Sequence, residues 1–278
     1  VTAEDSDMDN NGLIYTSFMP VNPTHPRVQE VYELFVKILM EELGDYKSLE
    51  SIVLANEPAF VAGHGGGGKP NYYYLPQFRE FLKNKYGTIS NLNSRCKTDY
   101  ASFDEVNMPE WGSIRKGTKT KLTIDYIEFN DNIVLSFHKY LSEAVKAEKP
   151  DMKVQTKIMA YLHQNAGDGT NVRSENGNEY ESLSKVLDLN GHDGGASPGK
   201  EDAPFEALLQ WFDFQRSVKD APMFNMEDHS MSGDYSADKA KWIYGYLWQG
   251  AIHGRGGTAL WRWTRDEKSM TSFQTDTN

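Results

Sequence analysis

Two glutamates stand out for where they fall in the pattern around them. Leu54-Ala55-Asn56-Glu57-Pro58-Ala59 is an apolar run that closes on an amide, a carboxyl and a proline. Pro222-Met223-Phe224-Asn225-Met226-Glu227-Asp228-His229 repeats the arrangement much later, again just before the chain breaks into loop. Two carboxyl groups delivered at strand ends are the minimal equipment for opening a glycosidic bond. One must be protonated to serve the leaving oxygen and the other ionised to attack the anomeric carbon, and burial with mutual repulsion holds their pKa values apart. Asn56 adds a donor whose hydrogen bond to a sugar hydroxyl strengthens as the ring gains oxocarbenium character. Asp228 competes with Glu227 for the second role, because alternation along a strand lets only one of the two face the site.

Other side chains with suitable chemistry are less specific. Trp261 and Trp263 flank Arg262, and alternation turns both indoles to one side, either into a core or as a flat platform for a sugar face. His192 and Asp193, near Gly191, Gly194 and Gly195, are candidate hydroxyl ligands or turn residues; Tyr161 and His163 have the same standing after the preceding strand. His229 is a further candidate substrate ligand. His64-Gly65-Gly66-Gly67-Gly68 has the look of an oxyanion loop, but no Gly-x-Ser-x-Gly turn accompanies it, so it reads as a flexible loop. Asp7, Asp9, Asn11 and Gly12 match the start of a calcium loop whose twelfth position is Phe18 where a glutamate belongs.

The elements that must position these groups alternate between two periods. Val28, Val31, Leu34, Phe35, Ile38 and Leu39 follow helical spacing, opened by Pro26 and closed by Gly44. Ile52-Val53-Leu54-Ala55 reads as a buried strand. A helix carrying Ile133, Val134, Phe137, Tyr140, Leu141, Ala144 and Val145 leads to a strand over Met152, Val154, Thr156 and Ile158. Val186 to Leu189 reads as a short strand, Phe205 to Val218 as a helix, 222–227 as a strand, Ile243 to Ile252 as a helix and Thr258 to Trp263 as the last strand. Strand and helix in alternation, with short apolar strands, predict parallel α/β architecture in a single domain over residues 1–278. Residues 61–123 interrupt the rhythm with glycine, tyrosine, charge and a helix from Pro76 to Tyr86, and read as a long insertion after the first strand.

Composition narrows the partners. The net charge of −11 argues against nucleic acid, no apolar run is long enough for a membrane span, and the single Cys96 excludes an internal disulfide and a cysteine-based metal cluster. The polar, acidic start does not read as a signal peptide, and one removed before this numbering is compatible with it. A secreted or periplasmic location is favoured over a cytoplasmic one.

At Asn56-Glu57-Pro58 the chain resembles the fourth-strand motif of the clan A glycoside hydrolases, which are (β/α)8 barrels. Phe78-Arg79-Glu80-Phe81-Leu82-Lys83-Asn84-Lys85-Tyr86-Gly87-Thr88-Ile89-Ser90-Asn91-Leu92-Asn93 resembles the segment after that motif in family 42 β-galactosidases, and Gln210-Trp211-Phe212-Asp213-Phe214-Gln215-Arg216 is similar to a later helix of the same family. The resemblance runs from about Asn22 to Trp263. It implies Glu57 as acid/base, Asn56 as ligand of the hydroxyl next to the reacting carbon, and Glu227 on strand seven as nucleophile. The context of Glu227 departs from the family pattern, which bears on the sugar more than on the clan. A retaining hydrolase of a β-linked sugar, a β-galactoside in an oligosaccharide or polysaccharide, is the expectation, with no organic cofactor or metal. The alternatives are a carbohydrate-binding protein without turnover and an assembly protein on a decayed barrel.

The resemblance also implies a gap. If Asn56-Glu57-Pro58 lies on strand four, the chain carries strands four to eight and largely lacks strands one to three. An incomplete barrel has raw edges, so the expectation is either a fragment of a longer protein or a homo-oligomer whose second copy covers the edges.

Overall fold

The structure, a computed structural model, describes residues 21–58, 60, 62, 72–110, 120–159, 165–166, 170–171, 177–194, 205–228 and 239–260. These fall into two compact units. Among the described residues, one contains 21–39 with those of Pro58–Ala144 and Asn165–Glu179, and the other those of Met40–Glu57, Val145–Gln164 and 180–260.

Helix α1 (Pro26–Leu43) opens on its proline, which needs no amide partner in a first turn, and Gly44 closes it with an N–H to Met40 O at 2.9 Å. Its buried face is Val28, Val36 and Met40, while the other expected apolar positions Val31, Leu34, Phe35 and Ile38 are exposed among the described residues, Val31 to 66%. In the first unit α2 (Leu75–Tyr86) stops at Gly87, whose φ of 71° suits a residue without a Cβ. The short α3 (Ile89–Cys96) follows, capped by the Thr88 hydroxyl, which accepts from the Asn91 N–H. Helix α4 (Lys121–Glu148) begins well before the apolar spacing at Ile133 suggested. Its first turns mix buried Tyr126 and Phe129 with buried Asp125 and Asn130, which breaks the periodic signal. Tyr74, Phe78, Tyr126 and Phe129 pack edge to face or tilted, with Phe78 and Tyr126 centroids 5.8 Å apart. The buried Asp125 carboxylate accepts from Tyr86 at 2.6 Å and pairs with Lys85 and Lys121. A two-residue hairpin, β3 (Asn165–Ala166) and β4 (Thr170–Asn171), belongs to the same unit.

The second unit holds one sheet of five parallel strands in the order β1 (Ser51–Asn56), β2 (Lys153–Met159), β5 (Asn190–Gly194), β6 (Met223–Asp228) and β7 (Arg255–Leu260). A one-turn α5 (Tyr180–Leu183) precedes β5, α6 (Phe205–Val218) packs on β5 and β6, and α7 (Lys239–Ile252) packs on β7. The buried layer between strands and helices is Val154, Ile158, Leu208, Trp211, Phe212 and Met223. Parallel strands returning through helices make this an incomplete (β/α)8-type barrel, as the sequence analysis expected. None of the described helices is long and apolar enough to cross a membrane.

One strand is displaced from its expected place. Leu187 and Leu189 are buried, and the amides of Asp188 and Leu189 reach Val154 O, but the ladder is formed by Asn190–Gly194. That polar, glycine-rich segment reads as turn chemistry, yet every residue of it is buried. Gly191 is required because a Cβ there would meet Thr156 O at 2.4 Å, so only glycine lets β5 approach β2.

Candidate active site

Four charged side chains meet where the parallel strands end, and each comes from a different strand. Glu57 follows β1 directly, Lys157 belongs to β2, Asp193 to β5 and Glu227 to β6. One carboxylate oxygen from each of Glu57, Asp193 and Glu227 lies within 4.8 Å of the other two. Carboxyl ends of parallel strands are where open and closed α/β sheets build their sites.

Local backbone devices bring them together. Glu57 has a φ of +43°, a left-handed conformation that a residue with a Cβ adopts at a cost of about 1–2 kcal/mol. Its N–H donates to Lys157 O at 2.8 Å, which fixes that turn against β2. Between β5 and β6 the register slips: His192 pairs with Asn225, but Asp193 pairs with Glu227, leaving Met226 as an extra residue. This bulge sets the two acids side by side, a common use of bulges next to sites. The buried Asn225 pins it, donating through Nδ2 to Gly194 O at 2.8 Å and accepting from the Glu227 N–H at 3.3 Å.

The electrostatics are lopsided. Among the described residues, the charge that answers the three carboxylates is the Lys157 ammonium, on a side chain only 7% exposed. It bonds directly to Glu227 Oε2 and stays 4.0 Å from Asp193 Oδ2. Asp193 is 2% exposed. Burial first, then the hydrogen bond and charge of Glu57, push its carboxyl well above the ordinary range; Glu227 adds to this and Lys157 opposes it. Burial therefore favours the protonated form of Asp193.

The remaining sequence candidates fall in different places. Asn56 ends β1, half-buried and in register with Lys157. His192 alternates away from Asp193 into the layer beneath α6, fully buried with its ring 5.1 Å from that of Phe212. Burial and the nearby Arg255 charge lower its pKa to about 3, so it stays neutral. Asp228 also turns away, fully buried, and takes Arg255 Nη1 at 3.0 Å and Thr258 Oγ1 at 2.6 Å on one carboxylate oxygen. Glu227 is thus the acid of the pair that joins Glu57 and Asp193. Tyr161, His163, His229, Trp261 and Trp263 lie outside the described residues, as do the His64 loop and the Asp7 segment.

Sequence reasoning missed Lys157 and Asn225. A signal for Lys157 was present: Val154, Thr156 and Ile158 take one face of β2, so a lysine in the opposite phase near the strand's end must reach the site. Nothing comparable marks Asn225, whose role depends on a bulge. The assembled group can hold a proton on one side and an ionised, cation-backed carboxylate on the other. That is the division of labour a glycosidic bond requires.

The chain is 28% identical over 274 residues to Beta-galactosidase LacZ of Heyndrickxia coagulans, covering 92% of this chain and 37% of that protein. It is 26% identical over 221 residues to Beta-galactosidase LacZ of Lactobacillus acidophilus, covering 74% and 29%. The chain therefore spans well under half the length of these relatives. Among solved structures, an exo-carrageenase GH42 from Bacteroides ovatus superposes with a TM-score of 0.77 at 24% identity, over 95% of this chain and 38% of the other. A beta-galactosidase from Bacillus circulans sp. alkalophilus gives 0.72 at 19%, over 96% and 39%. The glycoside hydrolase family 42 model, described as Beta-galactosidase, matches residues 7–275, and the chain belongs to that family.

Proposed function

We propose that the chain carries the catalytic site of a retaining glycoside hydrolase acting on a β-galactoside, with Glu57 as acid/base and Glu227 as nucleophile. The observation that carries this reading is the close approach of their carboxylates, oxygens within 4.8 Å. Retaining enzymes set the two carboxyl groups about 5–5.5 Å apart and inverting enzymes about 6.5–9.5 Å, leaving room for a water. The short spacing supports direct attack.

In the first half-reaction a Glu227 oxygen attacks the anomeric carbon. The bond to the leaving oxygen breaks with its electron pair, and that oxygen takes the proton of Glu57. In the second, water attacks the same carbon and gives a proton to Glu57, and Glu227 departs as carboxylate. Asn56 donates to the sugar hydroxyl beside the reacting carbon, and Tyr161, His229, Trp261 and Trp263 are proposed to line the sugar subsites. Both charges come from side chains, so no cofactor enters. The β-galactosidase relatives support a β-galactoside as substrate.

Hydrolysis of a panel of nitrophenyl glycosides, with NMR of the first-formed anomer, tests the proposal. Release from the β-galactoside with retained configuration is expected. An inverted first product refutes the mechanism, and sugar binding without hydrolysis at any pH makes the chain a binding protein.

A further inference from the structure

The proposed mechanism needs Glu57 to arrive protonated, yet the structure places a second buried acid against it. Asp193 is 2% exposed, it shares the cluster in which one carboxylate oxygen of each acid lies within 4.8 Å of the others, and its Oδ2 makes no hydrogen bond among the described residues. Lys157 does not resolve this, because its ammonium is bonded to Glu227 and stands 4.0 Å from Asp193. Among the described residues one cation faces three carboxyl groups, and burial of Asp193, the one it does not bond, favours a retained proton there.

Resting on the mechanism above, we infer that Asp193 and Glu57 hold a single proton between them, while Lys157 reserves Glu227 as the ionised member. Asp193 acts through Glu57 and does not touch the reacting carbon; it is a positioning residue for the proton. The described titratable or charged groups facing it are Glu57 from β1, Lys157 from β2 and Glu227 from β6. Asp228 and Arg255 pair with each other on the helix-covered side.

The consequence for the reaction is specific. As the leaving oxygen takes the shared proton, the pair becomes two adjacent carboxylates whose repulsion makes them a stronger base than a lone glutamate. When water then attacks the anomeric carbon and Glu227 leaves, the pair recovers one proton from that water. The proton balance closes in each turnover, and the rise in basicity falls in the half-reaction that needs a base. The Asp193 carboxyl, held far above the ordinary carboxylate range, agrees with such sharing.

The test is a carboxyl carbon-13 NMR titration of the full chain labelled at Asp and Glu, which reads the proton without turnover. One carboxyl is expected to titrate above neutral pH. In Glu57→Gln that midpoint should fall by about one pH unit or more, a tenfold change in proton affinity; in Asp193→Asn the high-pH signal should vanish. Independent titration of Glu57 and Asp193 in the ordinary range, or a high midpoint that survives Asp193→Asn, overturns the inference. Nitrophenyl galactoside hydrolysis is scored separately, so an inactive chain with the shared proton intact refutes the mechanism and not the pairing. In an active chain Asp193→Asn should move the basic limb of kcat/KM to lower pH. A change confined to KM would make Asp193 a sugar ligand and overturn the inference.

Discussion

Asp228 is the built-in control for Glu227, one residue away and chemically alike, and replacing each separates site chemistry from structure. The Asp228 carboxylate is fully buried and accepts from Arg255 and Thr258. The Arg255 guanidinium, 3% exposed, also donates to Tyr246 O and Leu247 O and lies over the ring of Tyr246 at 4.7 Å. It lies so close to α7 that a Cβ at Gly250 would come within 2.5 Å of it. An arginine cannot shed its proton, so removing the anion strands a buried cation, which costs about 3–5 kcal/mol. Asn keeps the shape and an acceptor, which places Asp228→Asn near 3 kcal/mol, a large share of the roughly 5–15 kcal/mol that holds a domain together. Urea unfolding of this variant should show that loss, while turnover per folded molecule stays near the parent value. Glu227→Gln should do the reverse, with stability nearly kept and turnover abolished. The double variant Asp228→Leu/Arg255→Met should recover much of the stability, since an apolar pair replaces a buried ion pair at little cost. A stable, folded Asp228→Asn without activity, or an active Glu227→Gln, refutes the assignment of the two acids.

Three other outcomes follow from named groups. Glu57→Gln should abolish turnover of substrates with poor leaving groups while sparing the first step on activated aryl glycosides; equal loss on both, with azide rescue giving an inverted product, would make Glu57 the nucleophile instead. Asp131 is pushed up to about 7 by burial and by Glu179 and Glu128. Its folded-state pKa is thus above the unfolded one, and its contribution is fully present below about pH 4 and lost as pH rises through about 7. Asp131→Asn should therefore be more stable than the parent by about 1–3 kcal/mol at pH 8 and equal to it near pH 4, by thermal unfolding; no gain at pH 8 refutes this. His138 and His192 are lowered by burial to about 4 and about 3. Depressed histidines stabilise the fold above the unfolded value of about 6.5, and that contribution is lost as pH falls below it. Tm should drop between pH 7 and 4.5 and drop less in His192→Leu, and a flat parent profile would contradict the buried neutral rings.

What could be read from the sequence follows from how local each cause is. The strand Ile52 to Ala55 and the helix Phe205 to Val218 were legible because a consecutive apolar run, or an apolar stripe, is written locally, although β1 is only half-buried where a buried strand was expected and its Val53 is 37% exposed. Glu57 was legible for the same reason, as an acid at the end of such a run. β5 was not, because Asn190-Gly191-His192-Asp193-Gly194 is buried by close approach to β2 and not by its own hydrophobicity. α3 was missed because its eight residues make barely two turns and bury only Leu92 and Cys96, too short a stretch to stand out. Alternation made Glu227 and Asp228 exclusive, but choosing between them required Arg255, which packs against Asp228 from the next strand of the sheet. The partnership of Glu57, Lys157, Asp193 and Glu227 has no local trace, since it depends on a bulge and on four strands meeting.

The all-parallel sheet also sets the time course by which this chain acquires its site. No neighbouring pair in it can be zipped from a hairpin; Ser51 and Gln155, bonded across β1 and β2, are 104 residues apart in sequence, and Lys157 and Glu227 are 70 apart. Closing a loop of the first length costs about 4 kcal/mol of chain entropy before any contact offsets it, and sheets built this way fold slowly. The four charged groups gather only after three such closures, so proton sharing at Asp193 is a property of the finished sheet and absent from any intermediate. Until then β strands with unpaired edges are open to other chains, and refolding yield should fall steeply as protein concentration rises.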